Sequence, residues 1–294
     1  MMSELEKLVR NLMINSDTCS KRYLEELDEN IVNQQKNLPE KVYKYLDFEG
    51  GCSSLESLTL QFSCPLSFYR IEHKLSDTSE FGIERVCIDN KLVRDLEDYI
   101  MSEGETGLKS LFSRSKEVGK AGFYVFRHFQ TYLLGYGVCS LTNNPRNSRL
   151  WQNVSDHQGI CVEYDRKQLL EYLQSIDKVD QFANVIYVDK LQKTPISFSD
   201  ELKLKYYVLN LMFVKAKEFK FEEEFRIISR FENSSKNIDV EKFLKGEIGE
   251  TPFRRYEIST DCINKVYYTA NLENTRKLFD ILEHQNICHQ KINI

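Results

Sequence analysis

Two carboxylates, Glu222 and Glu224, lie one residue apart in the segment Phe221-Glu-Glu-Glu-Phe-Arg226. Alternate side chains of a β-strand share a face, so a strand here would place both acids and Arg226 on one side, about 7 Å apart. Such a pair can take two catalytic roles, since one acid stabilises a developing cation while the other accepts a proton. Because Glu223 would fall on the apolar face, a strand that begins only at Glu224 is equally compatible. The pattern also fits a solvated strand end whose acids pair with Arg226 and nearby lysines.

A second candidate is the segment that runs from Trp151, the single tryptophan, to Gly159. It contains Asp156 and His157 in a predicted loop before a strand, which is a favoured place for functional residues. A structural role fits the same residues, with Trp151 packed in the core and His157 bonded to backbone groups.

The third candidate, Lys44, lies between two tyrosines in the strand-forming segment Val42-Tyr-Lys-Tyr-Leu46. A lysine that points inward needs an anionic partner, because an unpaired buried charge is very costly. A ligand phosphate would supply that anion. A lysine that faces solvent on an edge strand explains the pattern equally well.

These candidates require a framework of strands and helices to position them. Residues 1–36 show helical spacing and Pro39 ends it, which predicts an N-terminal helical arm over 1–39 and an α/β domain over 40–294. The predicted strands are 42–46, 57–63, 138–141, 159–164, 184–189, 221–230, 253–258, 265–269 and 287–292. The predicted helices in the domain are 90–100, 106–117, 166–175, a helix from Ser199 or Asp200 to Ala216, and 272–284.

Composition restricts the function classes. The net charge of −5 gives no basic excess of the kind that marks nucleic-acid binding. None of the eight cysteines forms a Cys-x-x-Cys pair, and the N-terminus does not resemble a signal peptide. The longest apolar run, 206–214, is far shorter than the roughly 20 residues of a membrane helix. We therefore expect a cytoplasmic protein with reduced thiols, no membrane association and no metal site. The Gly-x-Ser-x-Gly, Gly-x-Gly-x-x-Gly, P-loop and His-Glu-x-x-His motifs are also absent.

The order of the three candidate segments resembles the bacterial domain-of-unknown-function family 2971. The residues that carry the resemblance are Tyr43-Lys-Tyr45, Leu60-Gln-Phe-Ser-Cys-Pro65, Trp151…His157-Gln-Gly-Ile-Cys161 and Lys215…Phe219-Lys-Phe-Glu-Glu-Glu-Phe-Arg226. That family is in turn similar in layout to ADP-ribosyltransferases. The resemblance implies a mixed α/β (α+β) fold with a central split, mainly antiparallel sheets and flanking helices.

The same resemblance implies roles for individual residues. Lys44 takes the first-strand position that holds Arg or His in those enzymes, and would contact the pyrophosphate of NAD. Ser63 takes the second position. Glu222 and Glu224 take the catalytic position, where Glu224 would bind the ribose 2′-hydroxyl and Glu222 would orient or deprotonate the acceptor.

The remaining NAD-binding residues implied by the resemblance are Tyr45, Trp151, His157 and Arg226, with Tyr45 stacked on nicotinamide. The expected function is an NAD-dependent ADP-ribosyltransferase or NAD glycohydrolase with a protein or nucleic-acid acceptor, acting as a toxin or phage-defence effector with an antitoxin or regulatory partner. Two alternatives remain open at this point. One is a catalytically inactive binding or regulatory module, suggested by Lys44 in place of Arg or His, and the other is a nucleic-acid-directed enzyme.

Overall fold

The computed structural model describes residues 21–36, 38–65, 67, 86–87, 133–189, 191, 194–195, 211–231, 253–272 and 275–294. The strands are β1 Lys41–Leu46, β2 Thr59–Ser63, β3 Val86–Cys87, β4 Tyr136–Thr142, β5 Ile160–Asp165, β6 Gln181–Asn184, β7 Ile186–Val188, β8 Thr194–Pro195, β9 Val214–Ala216, β10 Glu224–Arg230, β11 Phe253–Glu257, β12 Ile263–Thr269 and β13 His289–Ile292. The α-helices are α1 Lys21–Lys36, α2 Phe48–Glu56, α3 Ser148–Ser155, α4 Arg166–Ser175 and α5 Thr275–His284. Two 3₁₀ helices, η1 Lys217–Glu222 and η2 Thr260–Cys262, precede β10 and β12.

Most strands join one sheet, in the order β11-β2-β4-β1-β5-β12-β13, with β10 paired to β4 and β6 paired to β10. In the described part of the chain, β12 and β13 form the single parallel pair of this sheet. Two short parallel pairs, β3–β8 and β7–β9, lie outside it. The prediction of a mixed α/β fold with a mainly antiparallel sheet is therefore confirmed.

The large sheet is nearly divided at β4. Strand β1 meets β4 only at the pair Tyr43 and Thr142, and strand β2 meets it only at the pair Ser63 and Val138. Helix α2 connects these two strands. Ser140 lies between the two contact points, so β4 has no strand partner on this edge at its centre. A gap in the sheet results.

Helix α2 forms at the segment Asp47-Phe-Glu-Gly-Gly51, whose paired glycines are typical of a turn. Asp47 caps the helix, because its side chain accepts a hydrogen bond from the Gly50 amide at 2.7 Å. A Cβ atom on Gly51 would lie 2.6 Å from the Ile160 side chain of β5, so the glycine permits close helix–sheet packing. Gly50 and Gly51 therefore belong to a helix, and this helix packs directly on the sheet.

The main hydrophobic core lies on one face of the sheet, which we call the core face. It is formed by Val42, Phe62, Val162, Phe225 and Ile227, and it is covered by helices. Helix α1 belongs to this core, because Ile31 is 1% exposed and the Gln35 amide donates to the Phe182 carbonyl at 2.9 Å. The C-terminal half of the predicted helical arm is thus packed on the domain. Five described cysteines, Cys52, Cys64, Cys139, Cys161 and Cys262, are free and buried, as expected for reduced thiols.

Several predicted boundaries change. Strand β10 begins at Glu224, because Glu223 adopts a left-handed backbone with φ of 45° and ends the helix η1. The predicted helix from 199 to 216 lies mostly outside the described residues, and its last three positions form strand β9. The predicted helices at 90–100 and 106–117 lie outside the described residues. Among the described residues, no helix combines the length and apolar content that crossing a membrane requires.

Candidate functional site

A cavity of about 200 Å³ opens at the gap in the sheet, on the face opposite the core face. We call that side the cavity face. The cavity is lined by Tyr43, Lys44, Tyr45, Ser140, Leu141, Thr142, Leu150, Val154, Lys215, Glu222, Glu224 and Arg226. The first strand and the acidic segment, which are far apart in sequence, therefore meet in one place. Lys44, Tyr45, Glu222, Glu224 and Arg226 are the predicted site residues that this cavity brings together.

Glu224 and Arg226 form a bidentate ion pair within strand β10. Arg226 Nε donates to Glu224 Oε1 and Nη2 donates to Oε2, both at 2.8 Å. Arg226 also donates to the Met212 carbonyl at 2.5 Å. Both side chains are buried, with relative exposures of 5% for Glu224 and 1% for Arg226. The predicted shared face of these two residues is confirmed, and their geometry is the planar match that arginine makes with a carboxylate.

Glu222 reaches the same cavity from a different element. It ends η1, and the left-handed Glu223 turns the chain so that β10 begins at the next residue. The Thr142 hydroxyl donates to the Glu222 carbonyl at 2.6 Å, and the Asn143 amide donates to the Glu223 carbonyl at 3.0 Å. The two acids therefore converge through a bend that β4 holds, and the prediction that they share one strand face is wrong for Glu222.

Lys215 joins the two acids. Its ammonium group lies 2.6 Å from Glu222 Oε2 and 3.6 Å from Glu224 Oε2, and the lysine is 4% exposed. It is supplied by strand β9, which pairs with β7 outside the large sheet. Glu222, Glu224, Lys215 and Arg226 form a buried group of alternating charge, which we call the charged tetrad.

Lys44 fills the gap between β1 and β4. Its Nζ donates to the Ser140 carbonyl at 2.7 Å. The Asn143 and Phe231 amides donate to carbonyls across the β4–β10 junction, at Glu223 and Gly135. By the alternation of antiparallel hydrogen bonds, the Ser140 carbonyl then points towards the gap. No carboxylate of the described residues lies within ion-pair distance of Lys44, so its charge is balanced only by a neutral oxygen.

The charged environment keeps Glu224 ionised. Burial alone would raise the pKa of this carboxyl group, but the charges of Arg226 and Lys215 and hydrogen bonds from Arg226 and Ser140 lower it to about 2. The cavity is lined by two carboxylates and by three cations, Lys44, Lys215 and Arg226. The side chains of the lining therefore carry a net charge of one positive unit. The cavity therefore favours a ligand that carries an anionic group beside an apolar part.

The apolar wall of the cavity includes Tyr43, Leu150 and Val154. Tyr45 contributes less than predicted, because its hydroxyl accepts from the Asn147 amide at 3.1 Å and donates to the Asn144 carbonyl at 2.9 Å. Its ring packs edge-on against Trp151, with 5.1 Å between ring centroids. These hydrogen bonds to residues 144 and 147 hold the Tyr45 ring in place, so it supports the cavity wall. In the described part of the chain, the Tyr43 hydroxyl makes no hydrogen bond to these two residues.

Trp151, which was predicted to bind the cofactor, does not line the cavity. The residue is 0% exposed, and its indole nitrogen donates to the Pro145 carbonyl at 3.0 Å. It lies on helix α3 between the cavity residues Leu150 and Val154, so it supports the cavity wall from behind. The structural alternative considered for Trp151 is confirmed.

Two other predicted residues lie away from the cavity. His157 has a left-handed backbone with φ of 64° after α3 and borders a separate surface hollow with Arg149 and Phe219. Ser63 pairs with Val138 and does not line the cavity. The serine that lines the cavity is Ser140, beside Glu224.

Sequence reasoning therefore missed Lys215, Ser140 and Thr142 as site residues. Ser140 and Thr142 alternate in a strand-forming segment, which is a signal for a shared face. Lys215 has no such local signal, because its contact with the acids depends on how β9 folds back beside β10. Among the described residues, no three His, Cys, Asp or Glu side chains converge in a way that could hold a metal ion.

Comparisons of the chain with protein-family models, with curated proteins and with solved structures found no match.

Proposed function

We propose that the cavity binds the nicotinamide–ribose end of NAD and that the protein cleaves the bond between them, as an ADP-ribosyltransferase or NAD glycohydrolase. The observation that carries this proposal is the convergence of Lys44, Glu222 and Glu224 on one cavity at the gap in the sheet. This is the spatial arrangement implied by the resemblance to ADP-ribosyltransferases, with Ser140 in the place first given to Ser63. The resemblance to family 2971 remains part of the proposal.

The size and charge of the cavity are consistent with one end of a dinucleotide. A volume of about 200 Å³ is below the roughly 300–1,000 Å³ that encloses a drug-sized ligand. Nicotinamide and part of the ribose would occupy it beside Tyr43, and the rest of NAD would extend out of it. The unneutralised ammonium group of Lys44 would pair with the pyrophosphate, which cancels the positive excess of the cavity.

The chemistry that these residues support is electrostatic. Cleavage of the nicotinamide–ribose bond builds positive charge on the ribose, as glycoside hydrolysis does. Glu224 is held ionised and fixed by Arg226, so its negative charge needs no rearrangement as the transition state forms. Glu222, held by Lys215, would orient or deprotonate the acceptor hydroxyl.

The test is release of nicotinamide from NAD by the purified protein. We expect turnover by the wild type and a loss of about 100-fold or more in Glu224→Gln, the usual range for a preorganised electrostatic group. Because Glu224→Gln removes the carboxylate charge that faces Arg226, the variant Glu224→Gln/Arg226→Met is measured beside it, and circular dichroism checks that both fold. Glu163→Gln is the matched control, since Glu163 is equally buried but outside the cavity, and we expect its turnover to stay near that of the wild type. Equal turnover in all four proteins would overturn the proposal.

A second candidate function is NAD or nucleotide binding without catalysis. Both oxygens of Glu224 are already bound by Arg226, and Lys215 is bound to Glu222, so the acids could serve only to hold the cavity in shape. Trp151 is the single tryptophan and lies behind the cavity wall, so its fluorescence reports ligand entry. A fluorescence change with NAD in the absence of nicotinamide release would favour this second function.

A further inference from the structure

Strand β11, an edge of the sheet in the described part of the chain, presents a cluster of arginine and aromatic side chains outside the cavity lining. Arg254 and Arg255 are exposed, and Phe253 is 41% exposed. Arg230, exposed at the end of β10, lies next to Phe231, whose ring is 5.5 Å from the Arg254 guanidinium carbon. We call Arg230, Phe253, Arg254 and Arg255 the arginine edge.

The arginines of this edge form no ion pair with a carboxylate of the described residues. Arg254 donates to the Phe253 carbonyl at 3.2 Å, and Arg255 donates to the Gln61 side chain at 3.4 Å. Within the described ranges, no carboxylate lies within 4 Å of Arg230, Arg254 or Arg255. In contrast, the exposed Lys217 and Lys277 each pair with a carboxylate, Asp189 and Glu49. A chain with a net charge of −5 thus concentrates unneutralised positive charge at one end of its sheet.

The aromatic rings of the edge are arranged with the cations. The Arg255 guanidinium carbon lies 5.3 Å from the centre of the Phe253 ring, and Lys178 Nζ lies 5.6 Å from that of Tyr256. The Tyr256 ring packs 5.1 Å from Phe62, and its hydroxyl bonds Ser229 at 3.2 Å, so it is anchored to the core. The guanidinium groups supply positive charge and flat surfaces for stacking. The partly exposed Phe253 ring adds a further stacking surface beside the anchored Tyr256.

From this combination we propose that the arginine edge binds single-stranded nucleic acid. Cations track the phosphates of a strand, while aromatic rings and arginine planes stack on bases that are not paired. An acidic peptide would use the cations but would gain little from the exposed Phe253. The site lies at the opposite end of the sheet path from β13 and is independent of NAD cleavage.

The experiment uses the full-length protein and fluorescently labelled 12-nucleotide RNA and DNA strands, followed by fluorescence anisotropy at several salt concentrations. We expect binding at 50 mM salt that weakens as salt rises, since phosphate contacts release counterions. Arg254→Gln/Arg255→Gln should weaken binding at least tenfold and reduce the salt slope by about 1.4, for two contacts at roughly 0.7 each. Phe253→Ala should weaken it about fivefold through lost stacking.

The matched control is Arg276→Gln/Lys291→Gln, which removes two exposed cations outside the arginine edge, one on helix α5 and one on β13. We expect its affinity for the strands to remain within twofold of the wild type. Thermal melting confirms that every variant is folded, and the side chains changed are exposed. No binding by the wild type, equal loss in the control, or equal displacement of the strand by polyglutamate would each overturn the proposal.

Discussion

Two groups of buried carboxylates lie on the cavity face of the sheet, and their charges are balanced in different ways. Glu222 and Glu224 are paired with Lys215 and Arg226, both at least as buried as the acids themselves. Glu163 of β5 is 1% exposed, but its cation is Lys41, at 2.7 Å, whose side chain is 53% exposed. The Tyr267 hydroxyl also donates to Glu163 at 2.6 Å.

The two groups differ in the exposure of their cations to water. The Lys41 ammonium group can be replaced by solvent, so the Glu163 pair resembles a surface ion pair in strength. All four side chains of the charged tetrad are buried, so removal of one member disturbs the balance of buried charge. The tetrad also borders the cavity that Lys44 lines. We infer that the tetrad is the site built for a ligand and that Glu163 fastens β1, β5 and β12 together.

The largest effect that this comparison predicts follows the loss of Lys215. Lys215→Met removes the ammonium group that lies 2.6 Å from the buried Glu222 carboxylate, and we expect a fall of about 3–5 kcal/mol in the free energy of unfolding. Lys41→Met should cost about 1 kcal/mol or less. Urea unfolding of both variants measures the two values.

The double variant Lys215→Met/Glu222→Gln removes both charges and should recover most of the stability lost in the single variant. This recovery would identify the lost charge balance as the cause, apart from lost packing. Similar stabilities for Lys215→Met and Lys41→Met would show that the two carboxylate groups are equally accessible to water.

Acid should weaken the fold through Glu224. Its pKa is lowered from an ordinary 4.5 to about 2, so its stabilising contribution is complete above pH 4.5 and is lost as the pH falls towards 2. Between pH 6 and pH 3 this loss amounts to about 2 kcal/mol. Urea unfolding at both pH values should show a correspondingly smaller fall for Glu224→Gln/Arg226→Met, while Glu163→Gln retains the Glu224 contribution. An unchanged pH dependence in the double variant would contradict the role given to Glu224.

The smallest predicted effect concerns the bend that distinguishes the tetrad from the regular strand that carries Glu163. Glu223 has φ of 45°, a conformation that costs a residue other than glycine roughly 1 kcal/mol. Glu223→Gly should therefore change stability by less than about 1 kcal/mol, even though it loses the contact of Asn144 with the Glu223 carboxylate. Glu223→Val should destabilise more, because a β-branched side chain fits this conformation poorly. Thermal melting of the two variants compares them directly, and a more stable valine variant would contradict the bend.

Local patterns in the sequence predicted the parts of the site that depend on one element. Alternation placed Glu224 and Arg226 on one strand face, and the strand formers around Lys44 indicated β1. The strand signals indicated the separate strands, while the mainly antiparallel sheet was implied by the family resemblance. These features depend on neighbours within a few residues, which a single sequence displays.

The remaining parts depend on contacts between distant segments. Ser140 lines the cavity and Ser63 does not, because β1 and β2 separate from β4 beside Ser140, and no local pattern marks the separation. Lys215 contacts Glu222 because β9 pairs with β7 outside the large sheet. Gly51 appeared to mark a turn because its packing partner, Ile160, lies more than a hundred residues away in the sequence.

The most direct measurement of the central claim compares two lysines of the same strand, Lys44 at the cavity and Lys41 at Glu163. Titration of NAD, followed by Trp151 fluorescence and by calorimetry, gives the affinity of the wild type, Lys44→Met and Lys41→Met. We expect a loss of about tenfold or more for Lys44→Met, the scale of one hydrogen bond to a charged group, and little change for Lys41→Met. Equal affinities in all three proteins, or no binding of NAD by the wild type, would contradict it.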